Sequence, residues 1–383
     1  MKELSGKVCI VGAGETHSVG VQPDKSALSL NLEAIHNAAR DAGINVGEID
    51  GIFTAGQFTP AAIGEALGVC PRVVDGTYVG GCSFMILVGH AVTALVHGLC
   101  DVAVVSHGES GRSHVGGPRT RERSLIGQFE TPYGFGGAVS YFGMIAVRHM
   151  HEYGTTLEQW AEVAVSTRAW ASLNPKSNHR DPITVADVLA SRPVCYPFNR
   201  LNVCLVTDAG GAVILTRADR AKHLARKPVY VLGAGEATEH LMLTQMRNLT
   251  TSEATRISGK KAFAMARVKP KDFDHVMLYD AFTAGPPIML ESLGFCRPGD
   301  GVYLFADGRA APGGKLPINT NGGGLSYTHT GMYGIFPIVE ATRQLRGECG
   351  ARQVPKIGLS LVNGMGGMLS AAGSLVLANR PKA

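Results

Sequence analysis

One short pattern occurs twice in this chain, and it constrains the fold more than any other feature. Val8-Cys9-Ile10-Val11-Gly12-Ala13-Gly14-Glu15 returns as Val229-Tyr230-Val231-Leu232-Gly233-Ala234-Gly235-Glu236. A second echo follows: Ile49-Asp50-Gly51-Ile52-Phe53-Thr54-Ala55-Gly56 answers to Phe273-Asp274 and then Ala281-Phe282-Thr283-Ala284-Gly285. A duplicated unit is the simplest account of such self-similarity.

Each copy reads as an apolar strand with a glycine turn, a helix, and another strand. In the first copy Leu32, Ile35, Ala38, Ala39 and Ala42 fall at three- and four-residue spacing over 28–42, with Gly43 as a stop. In the second the helix is expected over 252–266. Each copy then adds a helix and a buried strand, over 83–98 and 102–105 in the first and over 332–346 and 357–362 in the second. Strands alternating with helices argue for an α/β fold with a mixed, helix-covered sheet. We divide the chain into 1–225 and 226–383. Residues 111–195 have no counterpart in the second half and read as an inserted loop region, with a helix near 157–173, that covers a site.

The Gly12-Ala13-Gly14 element is a poor dinucleotide fingerprint, because its third glycine is misplaced and the element recurs in the second copy. A plain strand-to-helix turn is the better reading.

A chain of 383 residues with 45% hydrophobic and 17% charged residues has material for a large core. The formal net charge of +5 is spread thinly, so nucleic-acid binding is not indicated. Arg112, His114, Arg119, Arg121 and Arg123 form the one basic run. It suits an anionic small molecule or a partner surface, or equally a solvated loop. No stretch reaches the ~20 apolar residues of a membrane span, and the N-terminus carries no signal-peptide pattern, so a cytoplasmic protein is expected. The eight cysteines are isolated, with no His/Cys cluster at metal-ligand spacing.

Cys82 differs from the other seven. Val79-Gly80-Gly81-Cys82-Ser83 reads as the end of a strand, and an apolar helix starts directly after it. Unpaired amides at a helix start favour a thiolate, and the glycines give access to the sulfur. In the second half, Gly322-Gly323-Gly324-Leu325-Ser326-Tyr327-Thr328-His329 leads into a helix expected from Met332, which puts an imidazole where the first copy has its thiol. A neutral His there can take a thiol proton.

Gly80-Gly81-Cys82-Ser83, Tyr279-Asp280-Ala281-Phe282, the Gly322-to-His329 loop and Asn363-Gly364-Met365-Gly366-Gly367 stand in the order of the four active-site loops of thiolases. The chain resembles the sterol-carrier-protein type and its thiolase-like relatives over nearly its whole length. The resemblance implies duplicated βαβαβ halves in a five-layered αβαβα arrangement, and a homodimer acting on a CoA thioester with no metal or redox cofactor. It implies Cys82 as acyl acceptor, His329 as its activator, and backbone amides of Cys82 and Gly366 as an oxyanion hole. It also brings in a small zinc-ribbon/OB-fold partner subunit, which many such relatives use.

The departures are specific. Tyr279 stands where the family has His or Asn, Thr328 and Thr330 flank His329 in place of Gly and Pro, and Ala281, Val362 and Asn363 leave no second catalytic cysteine. Tyr279 is the candidate substitute acid/base. Three activities follow. The first is a thiolase-type acyltransferase working through acyl-Cys82. The second is a retro-aldolase on a β-hydroxyacyl-CoA using Tyr279 and His329. The third is a non-catalytic acyl-CoA-binding subunit. The pairing of Cys82 with His329 favours the first.

Overall fold

Residues 2–115, 125–224 and 226–382 are described by the structure, a computed structural model. The strands are β1 (Val8–Glu15), β2 (Gly51–Thr54), β3 (Val73–Asp75), β4 (Val102–Ser110), β5 (Pro193–Cys195), β6 (Phe198–Asn199), β7 (Asp208–Arg217), β8 (Val229–Thr238), β9 (His275–Leu278), β10 (Leu359–Gly366) and β11 (Ala371–Ala378). Nine of them form one mixed sheet in the order β3-β2-β4-β7-β1-β8-β11-β10-β9, and β5 and β6 make a small hairpin.

The two ends of the sheet share one pattern of strand directions. β2 runs parallel to β3 and β4, while β7 and β1 are antiparallel additions. In the second half β9 and β10 are parallel, and β11 and β8 are the antiparallel additions. The two half-sheets meet at a narrow seam of two residue pairs, Cys9 with Tyr230 and Ile10 with Val229.

The repeated glycines lie inside β1 and β8 rather than at a turn, which corrects the sequence reading. A Cβ on Gly12 would come 2.2 Å from the Ala38 carbonyl oxygen, and one on Gly14 2.3 Å from the Ala38 nitrogen. On Gly233 and Gly235 it would come 2.2 Å from the Ala262 and 2.1 Å from the Ser258 carbonyl oxygens. Helix Ala27–Ala42 therefore rests directly on β1, and helix Glu253–Ala266 on β8. Ser26 and Ser252 cap the two helices at their N-termini, and Gly43 ends the first at φ 70°.

Two further helices, Ser83–Val96 and Ile335–Arg346, touch strands of both halves. Ser83 to Val88 is buried without a break, so this helix has no solvent face at its start. The first begins at Ser83 as expected, but what leads into it differs, and the second begins later than expected. β3 ends at Asp75 and does not run on to Cys82, because Gly80 takes φ 85° and the Val79 amide donates to Ser83 Oγ (2.9 Å) rather than to a sheet neighbour. The second helix starts at Ile335 rather than Met332, since Gly331 sits at φ 110° and the Tyr333 amide donates to Tyr279 Oη (3.1 Å), outside any helical ladder. The inserted region supplies helices Ala138–Tyr153, Leu157–Ser172 and Val185–Ala190.

Candidate active site

Tyr279 follows β9 directly, and its amide donates to the Asn363 carbonyl of β10 (3.1 Å). Its ring lies on the backbone of Gly81: a Cβ there would fall 2.1 Å from Tyr279 Cε2 and 2.8 Å from Oη. Only glycine at 81 lets the phenol reach inward. Tyr279 Oη stands 3.0 Å from His329 Nε2, the donor being set by the imidazole tautomer, and it accepts the Tyr333 amide. The Tyr279 ring meets those of His329 and Tyr333 edge-on.

His329 leaves a five-residue π-helical turn, Gly323–Tyr327. It is held from the first half of the chain: its amide donates to Thr207 Oγ1 (2.9 Å) and its carbonyl accepts the Thr207 amide (3.1 Å). The same segment reaches further. The Cys204 amide donates to the Ala281 carbonyl (2.9 Å), the Leu205 amide to the Gly324 carbonyl (3.0 Å), and Val203 bridges to Phe282. Residues 203–207 are thus a strut that fixes both the Tyr279 and the His329 loops.

Burial sets the protonation states. Imidazolium is poorly solvated there, so His329 is pushed down to about 4 and is neutral near pH 7. Burial drives the Tyr279 phenol well above its usual range, opposed by the Tyr333 amide, so the resting group is the phenol. Asp280, next in sequence, is fully buried and raised to about 7; its Oδ1 accepts the Gly324 amide at 2.6 Å, which ties it to the His329 loop.

Cys82 occupies the N-cap position of helix Ser83–Val96, as expected, but its sulfur is fully buried and packs with Val79, Ile86 and Ala371. Gly366 closes over it, because a Cβ there would lie 2.9 Å from Sγ and 1.8 Å from the Val79 carbonyl oxygen. The helix start favours thiolate, yet burial outweighs it and pushes the thiol up to about 12. Among the described residues no hydrogen bond joins Cys82 to His329. The structure therefore brings Tyr279 and His329 together, sets Gly366 beside Cys82, and leaves the sulfur outside the Tyr279–His329 hydrogen-bond line.

Several contributors carried no sequence signal. Tyr333, Thr207 and the pair His107 and Glu109 act through contacts distant in sequence. His107 Nε2 lies 3.0 Å from Thr330 Oγ1, and the Glu109 carboxylate lies against Gly331, where a Cβ would come within 2.8 Å of Oε2. Asp280 sat inside a quoted motif and could have been noticed as an acid between apolar neighbours. Of the basic run, the Arg112 amide donates to Asp208 Oδ1 (2.7 Å), and Arg119, Arg121 and Arg123 lie outside the described residues. Among the described residues no helix is long and apolar enough to cross a membrane, and no three His, Cys, Asp or Glu side chains are grouped to hold a metal ion.

A model of the family described as "Thiolase C-terminal domain-like" matches residues 235–379. A 17-hydroxy-3-oxo-4-pregnene-20-carboxyl-CoA lyase of Mycobacterium tuberculosis is 34% identical over 360 residues, covering 90% of this chain and 92% of the relative. This chain belongs to the thiolase-like superfamily. Within it, an acetyl-CoA acetyltransferase of Methanothermobacter thermautotrophicus is 30% identical over 374 residues, 94% of this chain and 96% of that one. The solved structure titled Ltp2-ChsH2(DUF35) aldolase superposes with a TM-score of 0.92 at 29% identity, covering 98% of this chain and 99% of that one. The thiolase-like fold and its mixed sheet are therefore common ground with proteins named for two different reactions.

Proposed function

We propose that this thiolase-like enzyme is a carbon–carbon lyase that cleaves a β-hydroxyacyl-CoA by retro-aldol chemistry, with Tyr279 and His329 as its acid/base pair. The reading rests on the 3.0 Å contact between Tyr279 Oη and His329 Nε2, from which the Cys82 sulfur is absent. In such a cleavage the β-hydroxyl loses its proton to the Tyr279–His329 pair, and the Cβ–O bond becomes a carbonyl. The Cα–Cβ electron pair passes into the thioester as an enolate, and Cα regains a proton from the same pair, so no oxidant or reductant enters. A neutral imidazole can take the proton, and the Tyr333 amide stabilises charge on the phenol oxygen. The absence of a second cysteine at Ala281, Val362 or Asn363 agrees with chemistry that does not remove an α-proton from acetyl-CoA.

Similarity to the mycobacterial lyase and to the solved aldolase supports this reading, and the DUF35 component of the latter supports a partner subunit for this chain, which we take to be the zinc-ribbon/OB-fold subunit that the family resemblance implies, beside or in place of a homodimer contact. We extend the proposal to the halves 1–225 and 226–383 and to a helix–sheet–helix–sheet–helix layering, for which the two helices touching both half-sheets speak.

The position of Cys82 at a helix start beside Gly366 favours a second reading, acyl transfer through an acyl-cysteine with the Cys82 and Gly366 amides as oxyanion donors. One experiment separates the two. Enzyme is incubated with a β-hydroxyacyl-CoA and, separately, with a 3-oxoacyl-CoA plus free CoA, and products and intact protein mass are recorded. The lyase reading expects a carbonyl product with a shortened acyl-CoA and no protein adduct. Thiolytic product with an adduct lost in Cys82→Ala would overturn it.

A further inference from the structure

Against the loop that carries His329 lies a cavity of about 320 Å³, walled by Arg168, His179, Arg200 and the apolar Leu201, Val203, Leu205 and Leu325. Arg168 is only 6% exposed. Its Nε donates to Ser326 Oγ (2.8 Å) and its Nη1 to the Asp181 carbonyl (3.0 Å). Among the described residues Nη2 has no acceptor and is not sealed from solvent, and neither Arg168 nor Arg200 has a carboxylate at ion-pair distance. The Asp181 carboxylate is felt only from further off, and Arg200 contributes a single Nη1 bond, to the Val203 carbonyl (3.3 Å). Two guanidinium charges therefore face one apolar-walled space.

A buried guanidinium without a counter-ion is costly, and its planar fork matches a carboxylate or a phosphoryl group in two-pronged fashion. We infer that this cavity is an anion site, built by Arg168, Arg200 and His179 for a phosphoryl or carboxylate group, against the loop that carries His329. The charge on His179 reports the same field: burial and both guanidiniums lower its pKa, with Asp181 the opposing group. Because the Arg168 anchor is Ser326 and the Leu205 amide bonds Gly324, an anion held here braces the loop that carries His329. This site is independent of which reaction the Tyr279–His329 pair performs.

The full chain is titrated with inorganic phosphate, and separately with acetate, against potassium chloride at equal ionic strength. The thermal midpoint and the His179 ring titration by NMR are followed. A saturable rise in midpoint above the chloride control is expected, with an upward shift of the His179 titration as the anion offsets the two cations. Arg200→Gln is the chosen variant, since Arg168 is buried and its loss could unfold the chain; it should weaken the anion response at least tenfold. Saturation with phosphate alone assigns a phosphoryl ligand, and saturation with acetate alone assigns a carboxylate. Midpoints that follow ionic strength only, or an Arg200→Gln response equal to that of the wild type, would overturn the assignment.

Discussion

The phenol oxygen of Tyr279 sits 3.0 Å from Nε2 of His329, although the two residues come from separate loops of the second half and each is fixed by an element outside its own loop. Gly81 makes room for the phenol ring, and Thr207 grips the imidazole's backbone. That arrangement yields five expectations.

Tyr279→Phe keeps the ring on Gly81 and removes only Oη. Loss of a positioned acid/base group lowers kcat by ~10²- to 10⁴-fold. The His329 nitrogen and the Tyr333 amide lose their shared partner, which costs about 1–3 kcal/mol of stability. Steady-state kinetics with a β-hydroxyacyl-CoA and denaturant unfolding read both effects; unchanged kcat would remove Tyr279 from the chemistry.

Cys82→Ala is expected to keep lyase turnover within a few-fold of the wild type. In the parent, iodoacetamide should label Cys82 no faster than free cysteine at the same pH, because burial holds the thiol near 12. Rapid, selective alkylation of Cys82, followed by peptide mass spectrometry, would restore the acyl-cysteine reading.

Gly81→Ala puts a methyl group 2.1 Å from Tyr279 Cε2. The ring must move by more than an ångström, and displacement of that size costs about 10²-fold in rate. The test is kcat alongside far-ultraviolet circular dichroism, where a folded but slow enzyme is expected.

Thr207→Val preserves shape and deletes the hydroxyl that accepts the His329 amide (2.9 Å) and bonds Thr328 Oγ1 (2.7 Å). Stability should fall by ~1–3 kcal/mol. A fall in kcat with little change in KM would identify a positioning effect on the imidazole.

How far could these relationships be read before folding? The mixed α/β sheet and the candidacy of Tyr279 and His329 followed from motifs a few residues long. The role of Gly12 and Gly14 did not, because a glycine needed for a turn and one needed for a helix to lie on a strand look alike until the Ala38 carbonyl is in place. The burial of Cys82 was hidden for a related reason. Its helix-start position is local and legible, whereas the lid formed by Gly366 and Ala371 arrives from almost three hundred residues away. Thr207 and Tyr333 act through backbone amides and single hydroxyls, which leave no compositional trace.

The protonation of His329 gives a fifth test. Its pKa falls from 6.5 in the unfolded chain to about 4 when buried, so the unfolded state binds the proton first on acidification. The sign follows: this ring's contribution is complete above pH 6.5, is lost as pH drops towards 4, and levels off below that, by ~3 kcal/mol in all. His275 and Asp280 also titrate across this window, so the readout is the difference in unfolding free energy between wild type and His329→Gln. That difference should shrink on acidification between pH 6.5 and 4; a flat difference would mean the ring is solvated.

The strut at 203–207 belongs to the first copy, yet both loops it grips belong to the second. The two halves therefore divide their labour, with the second presenting the proposed acid/base pair and the first acting as its jig. Neither repeat, expressed alone, would reconstitute half an enzyme. Substitutions in a stretch that holds no chemistry of its own would silence turnover as surely as removing the phenol, so a screen for inactive variants should return this plain-looking linker among its hits.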